Sequence, residues 1–181
     1  MADRFRFMTI RLVMLVALAA LLAPGCDEEA GSDTVAVEIN GAWYHLELAD
    51  DPETRQLGLG GRDHIDADGG MIFVFKSPLV LYFVMRDCLA PIDIVFLDSS
   101  GRITAMHAMT IEDPEPEQKE GESDSAYNTR RAEYDRGLPK YSSRFAAQFA
   151  LEFAGGTLDT LDLKPGDKID LDTVKLKKLA R

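Results

Sequence analysis

The chain carries a series of short apolar runs, and their length restricts its fold more than any other feature of the sequence. Two of these runs occupy residues 69–75 and 79–85. Each has the length of one β-strand, is bounded by turn-forming residues, and lacks the strict polar alternation of a strand with one solvated face. We therefore predict two strands that are buried on both faces.

Other segments predict hairpins and short helices. Segments 34–40 and 42–49 alternate apolar and polar residues around Asn40-Gly41, a strong hairpin signal. Segments 92–98 and 102–109 predict a second hairpin, and residues 158–176 a third around a Pro-Gly-Asp turn at 165–167. Asp51 and Pro52 favour the start of a short helix. Residues 126–137 favour a helical turn, while segment 144–156 fits either a helix or a strand.

Together these elements predict a mainly β fold of the β-rich α+β class, with seven or eight strands and one or two short helices. We expect a small, barrel-like single domain over residues 34–181. A closed or nearly closed sheet is the expected arrangement, because closure removes the exposed strand edges that promote aggregation.

The N-terminus predicts export and lipidation. Three arginines precede an apolar run at residues 12–23, which is too short to span a bilayer but fits a secretory signal. The following "LLAPGC" resembles a bacterial lipobox, with Cys26 as the lipidated residue. We therefore predict a signal peptide at 1–25 and a lipidated acidic tether at 26–33. The alternative is an ordinary cleaved signal, which would leave a Cys26–Cys88 disulfide possible.

The net charge argues against nucleic acid as a partner. The formal charge is −11 for the whole chain, and removing residues 1–25 takes away three arginines and one aspartate, which leaves −13. Binding to nucleic acid depends on lysine and arginine that neutralise phosphates. Residues 111–139 form an acidic, proline-containing segment, for which we expect a mobile, solvated loop.

Several motifs occur in an order that resembles one family. These are "TRQLGLGGRDHIDADGGMIFVF", "FVMRDCLAPIDIVFLDSSGRI", "FALEFAGG" and "LKPGDKI", spread over about residues 35–174. They are similar to the bacterial and archaeal family called domain of unknown function 192. The resemblance implies a small, mostly β domain, often exported, with no established activity. It places on the family's motifs Arg55, Gly58, Leu59, Arg62, Gly70, Met71, Phe73, Met85, Arg86, Pro91, Asp93, Phe96 and Asp98.

This chain departs from the family pattern in one element. The family typically has Trp-Met-Lys-Asn-Thr where this sequence has Val84, Met85, Arg86, Asp87 and Cys88. The positive charge is kept at Arg86, whereas the aromatic ring and the amide are lost. If the family binds a ligand through these side chains, the preference of this member is expected to differ.

Three charged residues are the candidates for ligand binding. We predict that Arg62, Arg86 and Asp93 lie near a polar pocket, where an arginine can grip a carboxylate or phosphate with two hydrogen bonds. A structural ion-pair network is the alternative. Asp87 and Asp93 are the alternative catalytic pair, because hydrolytic sites often need two carboxylates with different pKa values. Cys88 is a weak candidate nucleophile. We expect no metal and no cofactor, since the three histidines lack paired spacing.

The predicted function is that of an extracytoplasmic lipoprotein, held at a membrane of the bacterial cell envelope, that binds an unknown ligand or envelope protein. Two alternatives stay open at this point. One is a hydrolase that acts on envelope material through Asp87 and Asp93. The other is a structural accessory protein without a small-molecule site.

Overall fold

The structure is a computed structural model that describes residues 34–181. The predicted signal peptide, Cys26 and the acidic tether lie outside the described residues. The elements in chain order are β1 Thr34–Ile39, β2 Ala42–Ala49, α1 Pro52–Leu57, β3 Met71–Phe83, β4 Ile92–Leu97, β5 Ile103–Met109, α2 Asp124–Gly137, β6 Tyr141–Ala154, α3 Leu158–Leu161 and α4 Thr173–Leu179. The mainly β, single-domain prediction is confirmed.

The strands form one six-stranded sheet in the order β1-β2-β3-β6-β4-β5. Its neighbours are antiparallel, apart from β2 and β3, which are parallel. The sheet is not closed, and β1 and β5 are its edges, so the structure has no barrel of the kind the sequence suggested. Short helices and loops pack on an open sheet instead, which buries apolar surface without joining the two edges.

Both faces of the sheet are buried, which explains the continuous apolar runs in the sequence. Alternate residues of β3 enter two different clusters: Ile72 and Val74 belong to one, and Met71 and Phe73 belong to the other. All residues of β4 are buried. Both clusters consist of residues between 37 and 176. These clusters lie within one compact unit of the chain, and residues 34–181 are expected to fold without the preceding segment.

Two predicted hairpins and one predicted helix are confirmed. At the β1–β2 turn, Asn40 and Gly41 have φ angles of 51° and 84°, the left-handed geometry that an Asn-Gly hairpin turn requires. The β4–β5 hairpin has the expected order. Helix α1 begins at Pro52, and the Asp51 side chain accepts a hydrogen bond from the amide of Thr54 at 2.9 Å. Local sequence chemistry was sufficient for these three elements.

Three details of the secondary-structure prediction were wrong. Segments 69–75 and 79–85 belong to one long strand, β3, whose register shifts between Val74 and Leu79 so that Pro78 is accommodated. The third hairpin does not form, because Asp172 caps α4 and this helix places Leu176 in the core. The structure has six strands and four short helices in residues 34–181, rather than seven or eight strands and one or two helices.

Two segments for which the sequence was least clear form defined elements of the fold. Residues 144–154 are part of β6, which pairs with β3 on one side and β4 on the other. Within the acidic segment, residues 124–137 form α2, and Ser123 caps its first turn. Among the described residues, no helix is long and apolar enough to cross a membrane.

Candidate functional site

A cleft of about 570 Å³ opens beside α1, and we call it the α1 cleft. One wall is α1 together with the glycine-rich loop 58–61. A second wall is the crossing 84–88 that leads from β3 towards β4, and a third includes Glu115 and Arg131. Phe73, Phe83 and Glu152 contribute to the cleft from the sheet. The volume lies within the range of ~300–1,000 Å³ that is usual for small-molecule sites.

Backbone geometry holds the two main walls together. Gly58 ends α1 with a φ of 54°, and Gly61 has a φ of 74°, conformations that glycine adopts without a steric penalty. The amide of Gly61 donates a hydrogen bond of 2.7 Å to the carbonyl of Asp87. Asp87 itself has a φ of 53°, which is uncommon for a residue with a side chain. The glycine loop and the 84–88 crossing are therefore fastened to each other at the cleft.

Glu152 is the most unusual side chain of the α1 cleft. It lies in the central strand β6 and is only 5% exposed. Its Oε2 atom has no hydrogen-bond partner within residues 34–181. Burial raises the pKa of Glu152 to about 8, and the positive charge of Arg62 opposes part of that rise. Near neutral pH the side chain is therefore mainly an uncharged carboxylic acid, able to donate as well as accept a hydrogen bond.

Arg86 lines the α1 cleft, as does Asp87. The Nη2 atom of Arg86 lies 2.8 Å from Oδ1 of Asp135 in α2. This contact is an ion pair without hydrogen-bond geometry. Neither the Nε of Arg86 nor the Oδ1 of Asp135 has a hydrogen-bond partner in the described part of the chain. Arg86 consequently links α2 to the cleft, and its buried Nε–H group donates no hydrogen bond within residues 34–181.

Two other arginines near the cleft are paired with carboxylates. Arg131 forms an ion pair with Glu115. Arg62 donates two hydrogen bonds to Glu47, and this pairing lowers the pKa of Glu47. Arg62 is not among the residues that line the α1 cleft, but its charge acts on Glu152. These two ion pairs offset part of the positive charge near the cleft, which Arg55 also lines.

Cys88 lines the same cleft, and its thiol is free. The thiol lies 3.5 Å from the carbonyl of Arg86, to which it donates. Burial, followed by the charges of Glu152 and Asp87, raises the pKa of Cys88 to about 11. A thiol must ionise to act as a nucleophile. The surroundings of Cys88 therefore disfavour nucleophilic chemistry at neutral pH.

Asp93 lies away from the α1 cleft. It is 2% exposed, and its Oδ2 accepts a hydrogen bond of 2.7 Å from the amide of Leu158 at the start of α3. Burial raises the pKa of Asp93, and backbone amides of residues 156–158 partly oppose this effect. In this position the carboxylate ties β4 to the turn after β6. The structure does not bring Asp87 and Asp93 together in the α1 cleft as a hydrolytic pair.

A family model decides what kind of protein carries this cleft. The model described as DUF192, Uncharacterized ACR, matches residues 35–171. The chain belongs to the DUF192 family. The match covers most of the described domain, including every element of the α1 cleft. The chain therefore belongs to a family whose function is itself uncharacterised.

Two solved structures share the fold of this DUF192 chain. One is a putative transcription regulator from Sinorhizobium meliloti 1021, with 24% identity, a TM-score of 0.57, and coverage of 76% of this chain and 91% of that one. The other is a protein of unknown function from Novosphingobium aromaticivorans DSM 12444, with 22% identity, a TM-score of 0.60, and coverage of 88% and 100%. At this identity the likeness establishes the fold alone. No curated protein matches the chain significantly.

Glu152 was not among the site residues selected from the sequence. Two signals in this DUF192 sequence point to it. It is the one charged position in the apolar stretch 145–154, and it lies in "FALEFAGG", one of the motifs on which the family resemblance rests. What the sequence could not show is that β6 is central, which places this carboxyl between two paired strands.

Metal coordination has no geometric support in the described part of this DUF192 chain. Within residues 34–181, no group of three or more histidine, cysteine or acidic side chains is arranged to hold a metal ion. Among the histidines, His64 contacts Asp66 and His107 contacts the Ser142 carbonyl. The chemistry that the α1 cleft offers is hydrogen bonding from a protonated carboxyl group beside apolar rings.

Proposed function

We propose that this protein is an exported lipoprotein, anchored to a membrane of the cell envelope through Cys26, that binds a small ligand in the α1 cleft. The observation that carries the proposal is the buried Oε2 atom of Glu152, which lines the cleft and has no partner among residues 34–181. A buried polar atom without a partner costs free energy, and a ligand that supplies the partner recovers it.

The surroundings of Glu152 indicate how such a ligand would be held. Phe73 and Phe83 line the cleft and contact each other edge to face, with ring centroids 5.0 Å apart. An apolar part of the ligand can pack beside these rings. A hydroxyl, amide or amine group can pair with the Glu152 carboxyl. The predicted contribution of Arg86 is a second hydrogen bond from its unused Nε atom.

The ligand proposal is tested by a thermal-shift screen of residues 34–181 against sugars, peptides, amines and small anions. A ligand that binds the folded state at a hundredfold excess over its Kd adds about 2.7 kcal/mol of stability, which raises the melting temperature. We expect Glu152→Leu to reduce this stabilisation strongly, since leucine has a similar size but offers no hydrogen-bonding group to the ligand. The exposed Glu38, which does not line the cleft, provides the matched control Glu38→Leu.

Two outcomes of the screen would count against the ligand proposal. The first is that no compound raises the melting temperature. The second is that Glu152→Leu and Glu38→Leu are stabilised equally by every compound that raises the melting temperature of the wild type.

The anchor is tested separately by Cys26→Ala in the full chain expressed in a bacterium. Acyl chains on Cys26 would hold the exported domain at a membrane. We expect the wild-type protein in the membrane fraction and the Cys26→Ala protein largely outside it. Metabolic labelling with a radioactive fatty acid provides the second measurement. An unlabelled wild-type protein, or equal membrane partition of the two proteins, would contradict the lipoprotein proposal.

A further inference from the structure

Strands β3 and β6 continue as a pair beyond the residues that pair with β2 and β4, and we call this strand pair the β-arm. It consists of residues 76–82 of β3 and residues 140–147, the last seven of which begin β6. One face of the β-arm packs on the core through Leu81 and Ala147. Leu79, Val80 and Tyr82 are paired with residues of β6.

Strand β2 pairs with β3 only at Met71–Phe73, and β4 pairs with β6 only at Phe149–Ala154. Among the described strand pairs, none adds a third strand to the β-arm, although β5 and the residue that follows it contact its β6 half. The His107 Nε2 atom lies 2.8 Å from the Ser142 carbonyl oxygen, and the Thr110 amide donates a hydrogen bond to the Tyr141 hydroxyl.

The β-arm exposes large apolar side chains. Four of the nine exposed large apolar residues of the described domain are on it, and their exposed fractions are 48% for Leu79, 41% for Val80, 63% for Tyr82 and 69% for Phe145. Val80 and Tyr82 are two residues apart, so they point to the same side of the strand. Exposed apolar residues that are concentrated in this way mark an interaction surface.

A β-bulge in β6 sets the position of Phe145. Val80 is opposite Ala146 and Tyr82 is opposite Ser142, so β6 has three residues where β3 has only Leu81. The buried Ser143 hydroxyl accepts a hydrogen bond of 2.9 Å from the Leu81 amide and donates one of 2.6 Å to the Phe145 carbonyl. Such a bulge re-aims the side chains of its strand.

The bulge also carries backbone strain. Arg144 has a φ of 61° although it is not a glycine. Strained residues of this kind persist only where the surrounding structure holds them, and they concentrate at functional positions. The hydrogen bonds of Ser143 provide that support here. The exposure of Phe145 is therefore a feature that the local structure maintains, rather than the result of a loose chain end.

The charge of the β-arm differs from that of the rest of the protein. The whole chain has 31 acidic residues, but residues 76–82 and 140–147 contain none. They contain three cations, namely Lys76, Lys140 and Arg144, which are all exposed. Exposed apolar side chains with neighbouring cations are complementary to a partner that has an apolar interior and a negatively charged surface.

We propose that the β-arm docks on an anionic lipid bilayer, with Tyr82 and Phe145 entering the interface and the three cations facing lipid phosphates. Aromatic side chains favour the membrane–water interface, and lysine and arginine are attracted to anionic lipid. A second copy of this chain is a poorer occupant, because a symmetric contact would bring two sets of cations together. None of the β-arm residues lines the α1 cleft, so this surface is additional to the proposed ligand site.

The negative charge of the whole domain does not prevent this contact. At physiological salt the Debye length is about 8 Å, so acidic residues farther than that from the bilayer are largely screened. The cations of the β-arm are at the point of contact and are screened less. Binding is therefore expected to be local, and to weaken as salt rises.

The docking proposal is tested by sedimentation of residues 34–181 with lipid vesicles. This part of the chain lacks Cys26, so no acyl chain contributes to the binding. We expect binding to phosphatidylglycerol vesicles and much weaker binding to phosphatidylcholine vesicles. Phe145→Ala is expected to lower the partition coefficient roughly tenfold or more. Lys76→Gln and Arg144→Gln are expected to lower it about fivefold each.

Matched controls lie elsewhere on the surface. Trp43 in β2 is 56% exposed, and Lys178 in α4 is exposed, so Trp43→Ala and Lys178→Gln change similar groups outside the β-arm. Both control proteins are expected to bind phosphatidylglycerol vesicles as the wild type does. Melting temperatures of all variants verify that they are folded.

Three results would overturn the docking proposal. One is a wild-type domain that does not bind phosphatidylglycerol vesicles. Another is equal loss of binding in the β-arm variants and the controls. The third is a concentration-dependent dimer on size exclusion that Phe145→Ala abolishes, which would assign the β-arm to a second copy of the chain. None of these three results would contradict the ligand proposal, because the ligand screen tests the α1 cleft, which is a different site.

Discussion

Replacing Gly70 with alanine is expected to destabilise the domain by roughly 4 kcal/mol or more. Gly70 precedes β3 and has a φ of 142°, a backbone conformation that residues with a Cβ rarely adopt. A Cβ atom at this position would lie 2.1 Å from the carbonyl oxygen of Glu152 and 3.0 Å from Cδ2 of Leu46. The nearest of these atoms belongs to the backbone of the central strand β6, so relief requires the strands to move apart.

The effect of Gly70→Ala is measured by chemical and thermal unfolding of residues 34–181. A loss of this size lowers the melting temperature of a domain of this length by about 10 °C or more. Gly121→Ala is the matched control, because Gly121 has a φ of 75° but a Cβ there would meet no atom within 4 Å. We expect the control to lose about 1 kcal/mol from the backbone conformation alone. Equal losses in the two variants would contradict the predicted steric clash.

The second large effect is a dependence of stability on pH that comes from Glu152. Burial raises its pKa from the ordinary value of 4.5 to about 8 in the folded protein. Between these two pH values the folded state holds a proton that the unfolded state releases. The free energy of unfolding therefore falls as pH rises through this window, by up to about 5 kcal/mol from this one group. The stabilising contribution is complete below pH 4.5 and is lost by about pH 8.

The variant Glu152→Gln isolates this contribution, since a glutamine side chain does not titrate. We expect the variant to be more stable than the wild type at pH 8 and similar to it at pH 5. Other groups act in both proteins and cancel in the comparison, among them Glu47, whose pKa is lowered by Arg62. The measurement is the free energy of unfolding in urea at several pH values from 5 to 8. Parallel curves for the two proteins would show that Glu152 keeps an ordinary pKa.

Local chemistry predicted those parts of the fold that depend on neighbouring residues. The Asn40-Gly41 turn, the Asp51 cap of α1 and the β4–β5 hairpin all follow from residues within a few positions of one another. The third hairpin was wrong for a related reason. Apolar and polar residues do alternate around Pro165, as in a hairpin. However, Asp172 caps α4, and this helix rather than a strand places Leu176 in the core.

The candidate site was only partly predictable, because it combines segments that are distant in the chain. Arg86 and Asp87 were selected from the sequence, and they line the α1 cleft. Asp93 was selected for its charge within an apolar run, but its carboxylate binds the amide of Leu158, 65 positions later. Such a partner is invisible to local reasoning. Burial also raises the pKa of the Cys88 thiol. The charged residues near Cys88 in the sequence do not reveal this effect, because it depends on the folded structure.

The sequence by itself determined the β-rich class, the short length of the elements, the family motifs and the acidic balance of the chain. These properties depend on composition, on the periodicity of apolar residues and on the chemistry of turns, which act over short distances. Only the tertiary structure decided that the sheet stays open, that the Oε2 atom of Glu152 is buried without a hydrogen-bond partner among residues 34–181, and that residues 76–82 and 140–147 lie together as one acid-free strand pair. Each of these depends on which strands become neighbours, and that choice is made by the packing of both faces of the sheet at once.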